Sequence, residues 1–364
     1  MPTIGLVMTT YNEEKVIKRC LESVLPFIDY YSIGVDLKTT DNTKKIIEET
    51  LKDKTGIVFD SPWNGFADAR NQAFEHFTWE VDWYLIIDAD MILVSEGFDK
   101  GQLDKSKSGY LIKIKQGGVE WDMNWVVNAQ YNWYWRGVLH EFLDCHDDIN
   151  TVSEKLSELY ITHGGDGGAR AKDNAMFKRD VDVFLNAMVE ETDPFMIQRY
   201  TFYLANSYRD ANMKKESIVF YRMRAKMDGW NQEIYLSHYW AGRQSNNPYD
   251  YINAFNTIPT RCDALVELLY WGIENSTTPY GMDLLLKGIE FYDNAQHDGR
   301  VWDKEGLFFS DREMDMHDWA AIALAKVGRV DEAKKITLRL MDEYRLNNEE
   351  GVDRLVNNLK RYGS

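Results

Sequence analysis

Short apolar runs alternate with amphipathic stretches through the first ninety residues, and this alternation predicts an α/β layer architecture. Runs rich in Ile, Val, Leu and Tyr at residues 3–9, 30–36, 56–60 and 83–88 predict strands. Between them, helical periodicity predicts helices over 13–25, which stops before Pro26, over 42–51, entered through the polar Thr39-Thr40-Asp41, and over 66–77. In sheets wound this way, ligands gather outside the C-terminal ends of the strands.

From residue 109 to 135 the pattern changes to β-rich, Tyr- and Trp-heavy segments, and a further strand-like run at 159–162 leads into His163. Gly164-Gly165-Asp166-Gly167-Gly168 follows as a loop, expected to close as a flap over a bound ligand. After about residue 173 the chain reads as one helix after another. Tyr203, Leu204, Ala205 and Tyr208, then Ser217 and Tyr221, resemble the large and small positions of a tetratricopeptide repeat, in an imperfect register. Stretches 319–324 and 331–340, joined through Gly328, have the same helix–turn–helix character. The expectation is therefore two domains, an α/β domain over 1–172 and an all-α, tetratricopeptide-like domain over 173–364.

Composition narrows the class. A chain of 364 residues with 44% hydrophobic and 13% aromatic content can bury two cores. No apolar run approaches the roughly 20 residues that span a bilayer, and the first strand begins too early for a cleavable leader. A net charge of −17 argues against nonspecific nucleic-acid binding, which needs clustered Lys and Arg. Cys20, Cys145 and Cys262 are too few and too scattered for a disulfide framework or a C-x-x-C zinc site. A soluble cytoplasmic protein with reduced thiols is expected.

Candidate chemistry begins with Asp88-Ala89-Asp90, which closes the apolar run Tyr84–Ile87. If the strand continues through it, Asp88 and Asp90 share a face and can together hold a hard cation such as Mn²⁺ or Mg²⁺. The triplet is unspecific by itself, since Asp180-Val181-Asp182 repeats it in a charged helical stretch. Neither a G-x-x-x-x-G-K-[ST] loop nor a G-x-G-x-x-G turn after a strand is present, which disfavours P-loop and dinucleotide sites.

Five segments taken in order make the triplet specific: Thr9-Thr10-Tyr11-Asn12-Glu13-Glu14, Val35-Asp36-Leu37-Lys38-Thr39-Thr40-Asp41-Asn42-Thr43, Gly65-Phe66-Ala67-Asp68-Ala69-Arg70-Asn71, Asp88-Ala89-Asp90, and Trp135-Arg136-Gly137-Val138-Leu139-His140-Glu141. Together they resemble the family 2 glycosyltransferases of the GT-A fold, a Rossmann-like domain with a mixed central sheet. The last segment is similar to the G-x-x-H-E block of members that carry a helical repeat domain. The resemblance implies an inverting, metal-dependent transfer, most simply of a hexose, from a nucleotide-sugar to an acceptor hydroxyl. It implies that Thr9, Thr10, Tyr11 and Glu13 form the nucleotide-binding turn, with Tyr11 against a uracil ring and Asp36 accepting its N3–H. Arg70 would reach the nucleotide, Asp88 and Ala89 its ribose or a metal-bound water, and Asp90 the metal. Lys38, where the family has a small residue, adds a phosphate contact or is a solvated charge. His163 stands where many such enzymes supply a C-terminal metal ligand, and Arg170 where a diphosphate clamp is useful.

Chemistry asks for one more group. In an in-line displacement at the anomeric carbon the acceptor hydroxyl must lose its proton, and Glu141 is the expected general base, with His140 orienting it or binding the acceptor. The alternative for Glu141 is a structural carboxylate paired with Arg136 or His140. Trp121, Trp125, Tyr131, Trp133, Tyr134 and Trp135 either line an acceptor cleft or fill the core. The expected partners are a UDP-sugar donor and a glycan, protein or other hydroxyl acceptor, with self-association through the helical domain as a further possibility. Two other functions compete: a helical-repeat binding protein with a vestigial transferase domain, and a nucleotidyltransferase, which would want a Gly-rich, Arg-containing loop after Met8.

Overall fold

A computed structural model describes residues 1–116, 119–147, 149, 153–163, 174–304, 306–308, 310–347 and 352–362. The chain divides into two compact units, Met1–Ala187 and Met188–Ser364.

The first unit opens with β1 (Ile4–Thr10), α1 (Ile17–Val24), β2 (Tyr30–Asp36), α2 (Thr43–Thr50), β3 (Thr55–Ser61), α3 (Phe66–Glu75) and β4 (Trp83–Ile86). β1 pairs in parallel with both β2 and β4, and β2 with β3, so each intervening helix is a crossover between parallel strands. β1 is buried along almost its whole length, as a parallel strand covered on both faces must be. The unit continues with β5 (Met91–Ser95), β6 (Gly109–Gln116), β7 (Val119–Asn128), the hairpin of β8 (Trp133–Arg136) and β9 (Phe142–Cys145), and β10 (Glu154–His163). The eight-stranded sheet has the order β3-β2-β1-β4-β7-β6-β10-β5, in which β7 is antiparallel to β4 and β6, and β10 is parallel to β6 and antiparallel to β5. This is the expected mixed central sheet. Its core runs through Ile4, Leu6, Ile17, Leu21, Ile33, Trp83, Leu85, Ile112 and Ile161.

Two elements depart from the sequence reading. The fourth strand stops at Ile86 rather than at residue 88, because the chain turns there, with the Met91 N–H donating to the Asp88 carbonyl at 3.1 Å. Asp88 and Asp90 therefore sit on a turn and do not share a strand face. The first helix begins at Ile17 rather than at residue 13, because Asn12 adopts φ +53° and the Glu13 carbonyl takes the N–H groups of Val16 and Ile17 in a tight turn.

The all-helical region comprises α4 (Asn174–Glu190), α5 (Pro194–Asp210), α6 (Lys214–Arg224), α7 (Asn231–Ser245), α8 (Pro248–Thr257), α9 (Asp263–Asn275), α10 (Pro279–His297), α11 (Glu313–Lys326), α12 (Val330–Asn347) and α13 (Val352–Tyr362). Three helices start in the same way, with a capping side chain followed by Pro in the first turn: Asp193-Pro194, Asn247-Pro248 and Thr278-Pro279. The cap oxygen satisfies an early N–H and the proline costs no hydrogen bond there. Within the second unit, consecutive helices pack on one another: α5 with α6, α7 with α8, α9 with α10, and α11 with α12. Ser217 Oγ donates to the Ala205 carbonyl at 3.1 Å and Tyr221 Oη to Asn206 Oδ1 at 2.5 Å, which ties α6 to α5.

Candidate active site

The strand order turns back at β1, since β2 and β3 lie on one side of it and β4 on the other. Ligands bind at such a switch point, outside the strand C-termini. Three of the predicted segments emerge there, after Thr10, Asp36 and Ile86.

On the β2 side, the loops after β1 and β2 are laced together. Asn12 Oδ1 accepts the Thr40 N–H at 2.8 Å, Asp41 Oδ2 accepts the Glu14 N–H at 3.0 Å, and Glu14 Oε2 accepts from Asn42 Nδ2 at 2.9 Å. Burial pushes the Asp41 carboxyl up, but hydrogen bonds from Thr43 and Glu14 hold it below the usual carboxylate range. The Glu13 N–H donates to Thr43 Oγ1 at 2.7 Å, so Glu13 takes part in this lacing through its backbone. Thr10 is buried with its Oγ1 on the Gly34 carbonyl at 3.1 Å, so its side chain holds β1 to β2. Thr9 is half-buried beside it, and Tyr11 is 39% exposed, as a ring available for stacking must be. Asp36 is only 8% exposed, and its Oδ1 accepts the Lys38 N–H at 2.7 Å, while Lys38 itself is exposed.

On the β4 side, Arg70 of α3 joins two carboxylates. Its Nη1 lies 2.7 Å from Asp88 Oδ1 and its Nε donates to Glu141 Oε1 at 3.1 Å, while the guanidinium sits 4.6 Å above the Trp135 ring. The Arg70 and Glu141 side chains are each 13% exposed. Burial works against the Arg70 charge, but Asp88 and Glu141 more than offset it and raise its pKa above the usual value. Such a fork between two carboxylates fixes all three groups. Arg136, a partner considered for Glu141 from sequence, lies 3.6 Å from Asp144.

Glu141 is delivered by a strained turn, in which Gly137 has φ +111° and His140 φ +51°. A left-handed histidine costs conformational energy, and strain of this kind collects at functional sites. His140 is exposed, with its ring parallel to Phe184 at 6.3 Å. β8, which leads into the turn, is held by Asn71: its Nδ2 donates to the Trp135 carbonyl at 2.9 Å and its Oδ1 accepts the Trp135 N–H at 2.6 Å. Cys20 Sγ donates to the Asp88 carbonyl at 3.3 Å, and Ser23 Oγ accepts the Leu93 N–H at 3.0 Å, so α1 clamps both ends of the acidic turn. Nothing in the residue types at Asn71, Cys20 or Ser23 announces these roles, because all three act on backbone groups.

Asp90 faces the other way, with its Oδ2 3.3 Å from His163 Nε2 at the end of β10, in register with Met91. Burial pushes the Asp90 carboxyl above the usual range; His163 opposes the shift and the charge of Asp88 adds to it. Ala89 is buried between the two acids. Among the described residues no three His, Cys, Asp or Glu side chains gather to hold a metal ion by themselves, and the Asp88 carboxylate is turned toward Arg70. One carboxylate and one imidazole, side by side, nonetheless suit a cation that draws its other ligands from phosphate oxygens and water. Arg170 and the loop Gly164–Gly168 lie outside the described residues. Of the aromatic set, Trp125 and Trp135 are buried in the core, Trp121 and Trp133 pack against it, and Tyr134 donates to Asp144 Oδ2 at 3.1 Å.

Comparison with known proteins gives matches to parts of the chain. A glycosyltransferase, SunS, from Bacillus subtilis is 39% identical over 105 residues, 29% of this chain and 23% of its own. A teichoic acid poly(glycerol phosphate) polymerase from Staphylococcus epidermidis is 36% identical over 100 residues, 26% of this chain and 14% of its own. The matched segment thus spans under a quarter of the length of these relatives. Among solved structures, S. aureus TarS residues 1–349 in complex with UDP-GlcNAc aligns with a TM-score of 0.39 and 14% identity, over 70% of this chain and 91% of that one. The profile described as Glycosyl transferase family 2 matches residues 6–110, a span that holds Tyr11, Asp36, Arg70, Asp88 and Asp90 and ends before Glu141 and His163. Residues 6–110 of this chain are a glycosyl transferase family 2 domain.

Proposed function

We propose that the chain is an inverting, metal-dependent glycosyltransferase that moves a hexose from a UDP-sugar to an acceptor hydroxyl and works in the cytoplasm. The observation that carries the proposal is the Arg70 fork, which sets the acidic turn after β4 and the carboxylate of Glu141 on one guanidinium at the switch point of a family 2 domain. Tyr11, exposed, stacks on the base, and Asp36, with one oxygen committed to the Lys38 N–H, offers the other to the uracil N3–H.

Asp90 and His163 would hold Mn²⁺ or Mg²⁺, which would supply positive charge to screen the departing diphosphate. Glu141 takes the proton from the acceptor hydroxyl as it attacks the anomeric carbon from the face opposite the leaving group, which inverts the configuration. Arg70 fixes the Glu141 carboxylate beforehand, so no side-chain ordering is left for the moment of reaction.

The test is hydrolysis and transfer across a panel of UDP-sugars with Mn²⁺, alongside calorimetric UDP binding. Turnover of at least one donor is expected. Glu141→Gln keeps UDP binding and lowers transfer by about 10²–10⁴-fold. Transfer that survives in this variant places the base elsewhere, and a chain that neither turns over any donor nor binds UDP is not this enzyme.

A further inference from the structure

The second unit contains a half-open cavity of about 270 Å³ that none of the chemistry above uses. One wall is a face of α7 that carries Tyr239, Trp240 and Arg243, and the others bring in Arg261 and Asp263 at the start of α9 and Phe308 and Arg312 ahead of α11. Three arginines and one aspartate line it, in a chain whose net charge is −17. Each of these arginines is paired with a carboxylate, Asp263, Glu267 or Asp315, and still faces the open volume.

These guanidiniums are fixed from behind. Arg261 is buried; its Nε donates to Asp263 Oδ2 at 3.2 Å, its Nη1 to Gln232 Oε1 at 2.8 Å and to the Leu307 carbonyl at 3.0 Å. Arg243 and Arg312 both give Nη1 to the same oxygen, Glu267 Oε1, at 2.9 and 2.6 Å, and Arg312 Nε also reaches Asp315 Oδ2 at 3.3 Å. None of these bonds uses Nη2 of Arg243 or of Arg312, so each keeps N–H groups for a further acceptor. Glu267 and Asp315 balance the two charges, but the guanidiniums so held have little side-chain entropy left to lose and keep N–H groups beside an open volume, which makes them a ready oxyanion clamp.

Aromatic side chains, with Leu236 and Ser310, complete the lining. Tyr239 and Trp240 lie about one turn before Arg243 on α7, the Arg243 Nη1 also donates to Tyr239 Oη at 3.3 Å, and Phe308, held at φ +47°, is 57% exposed. A bulky residue in the left-handed region is a costly conformation that the fold has to impose. The volume lies just below the roughly 300–1,000 Å³ usual for drug-sized ligands, which is room for one sugar ring and an attached anionic group. We propose that this cavity binds a phosphorylated sugar, with the phosphate on Arg243 and Arg312 and the ring against Tyr239 and Trp240.

Titration calorimetry of the full chain with glucose 1-phosphate, glucose and inorganic phosphate tests it, and tryptophan fluorescence reports on Trp240. Glucose 1-phosphate is expected to bind more tightly than either fragment. Arg243→Gln is expected to weaken it about tenfold, and Arg243→Gln with Arg312→Gln about a hundredfold, while the far-UV circular dichroism spectrum and the thermal transition of the helical unit stay unchanged and show that this unit is folded in both variants. The proposal is overturned if glucose 1-phosphate gives no binding at about 1 mM, if inorganic phosphate binds as tightly as the sugar phosphate, or if Arg243→Gln binds like the parent.

Discussion

Asn71 shows how far a single side chain can set the geometry of the site. It bonds both the N–H and the carbonyl of Trp135, and Trp135 in turn lies beneath the Arg70 guanidinium. Asn71→Ala removes both bonds and leaves two backbone groups short of partners, at a cost of about 1–3 kcal/mol. Because β8 leads into the turn that carries Glu141, kcat for transfer is expected to fall while KM for the donor stays near its parent value. A variant that loses only stability, with kcat unchanged, shows that β8 is positioned by other contacts. The segment Gly65–Asn71 stands out in the sequence, but the part Asn71 plays in it does not, since its target is backbone 64 residues away. Arg70 is similar. Its residue type implied a charge partner, but nothing local tells that its guanidinium joins Asp88 and Glu141, the second of these 71 residues on. Local periodicity carries no information about pairs so distant.

At the scale of elements, the parallel strands and their crossovers were legible because each is a local apolar run bounded by polar turns. The seating of β5 at the far sheet edge was not, since it is decided by pairing with β10 more than sixty residues later. In the helical unit, α10 and α11 meet through a buried pair, Tyr292 Oη and His317 Nδ1, at 2.8 Å. Burial, helped by the charge of Arg339 and of Lys304 and opposed by Glu313, pushes the His317 imidazole down to about 4. In the unfolded chain the same group titrates near 6.5, so below that pH the unfolded state binds more protons than the folded one. His317 therefore contributes stability in full above about pH 6.5 and loses it as pH falls toward 4, by up to ~3 kcal/mol. Urea unfolding between pH 7.5 and 4.5 is expected to show this loss, and His317→Gln, which keeps a polar side chain without the titration, should flatten it. Equal pH dependence in parent and variant places the acid sensitivity in other groups.

Taken whole, the molecule is two compact units that each bury their own core. One lies around Leu6, Trp83 and Ile161 in the sheet, and the other includes Phe202, Leu265, Leu269 and Leu324 among the helices. Units of this size, with separate cores, do not have to melt together, and a chain built from them breaks two-state behaviour. The proposed donor site lies wholly within the first unit, so the donor binds the folded form of that unit alone. Scanning calorimetry is therefore expected to show two transitions, or a calorimetric enthalpy well above the van't Hoff value. Adding UDP with Mn²⁺ at about 100 times Kd stabilises the first unit by roughly 2.7 kcal/mol, which for a unit of its size moves its transition by about 5–10 °C. The other transition should stay where it is. Glucose 1-phosphate, if the arginine-lined cavity of the helical unit holds it, should reverse the assignment, raising the transition that UDP leaves alone. A single transition raised equally by both ligands means that the two cores unfold as one, and a UDP shift confined to the transition that glucose 1-phosphate also moves puts both sites in the same unit.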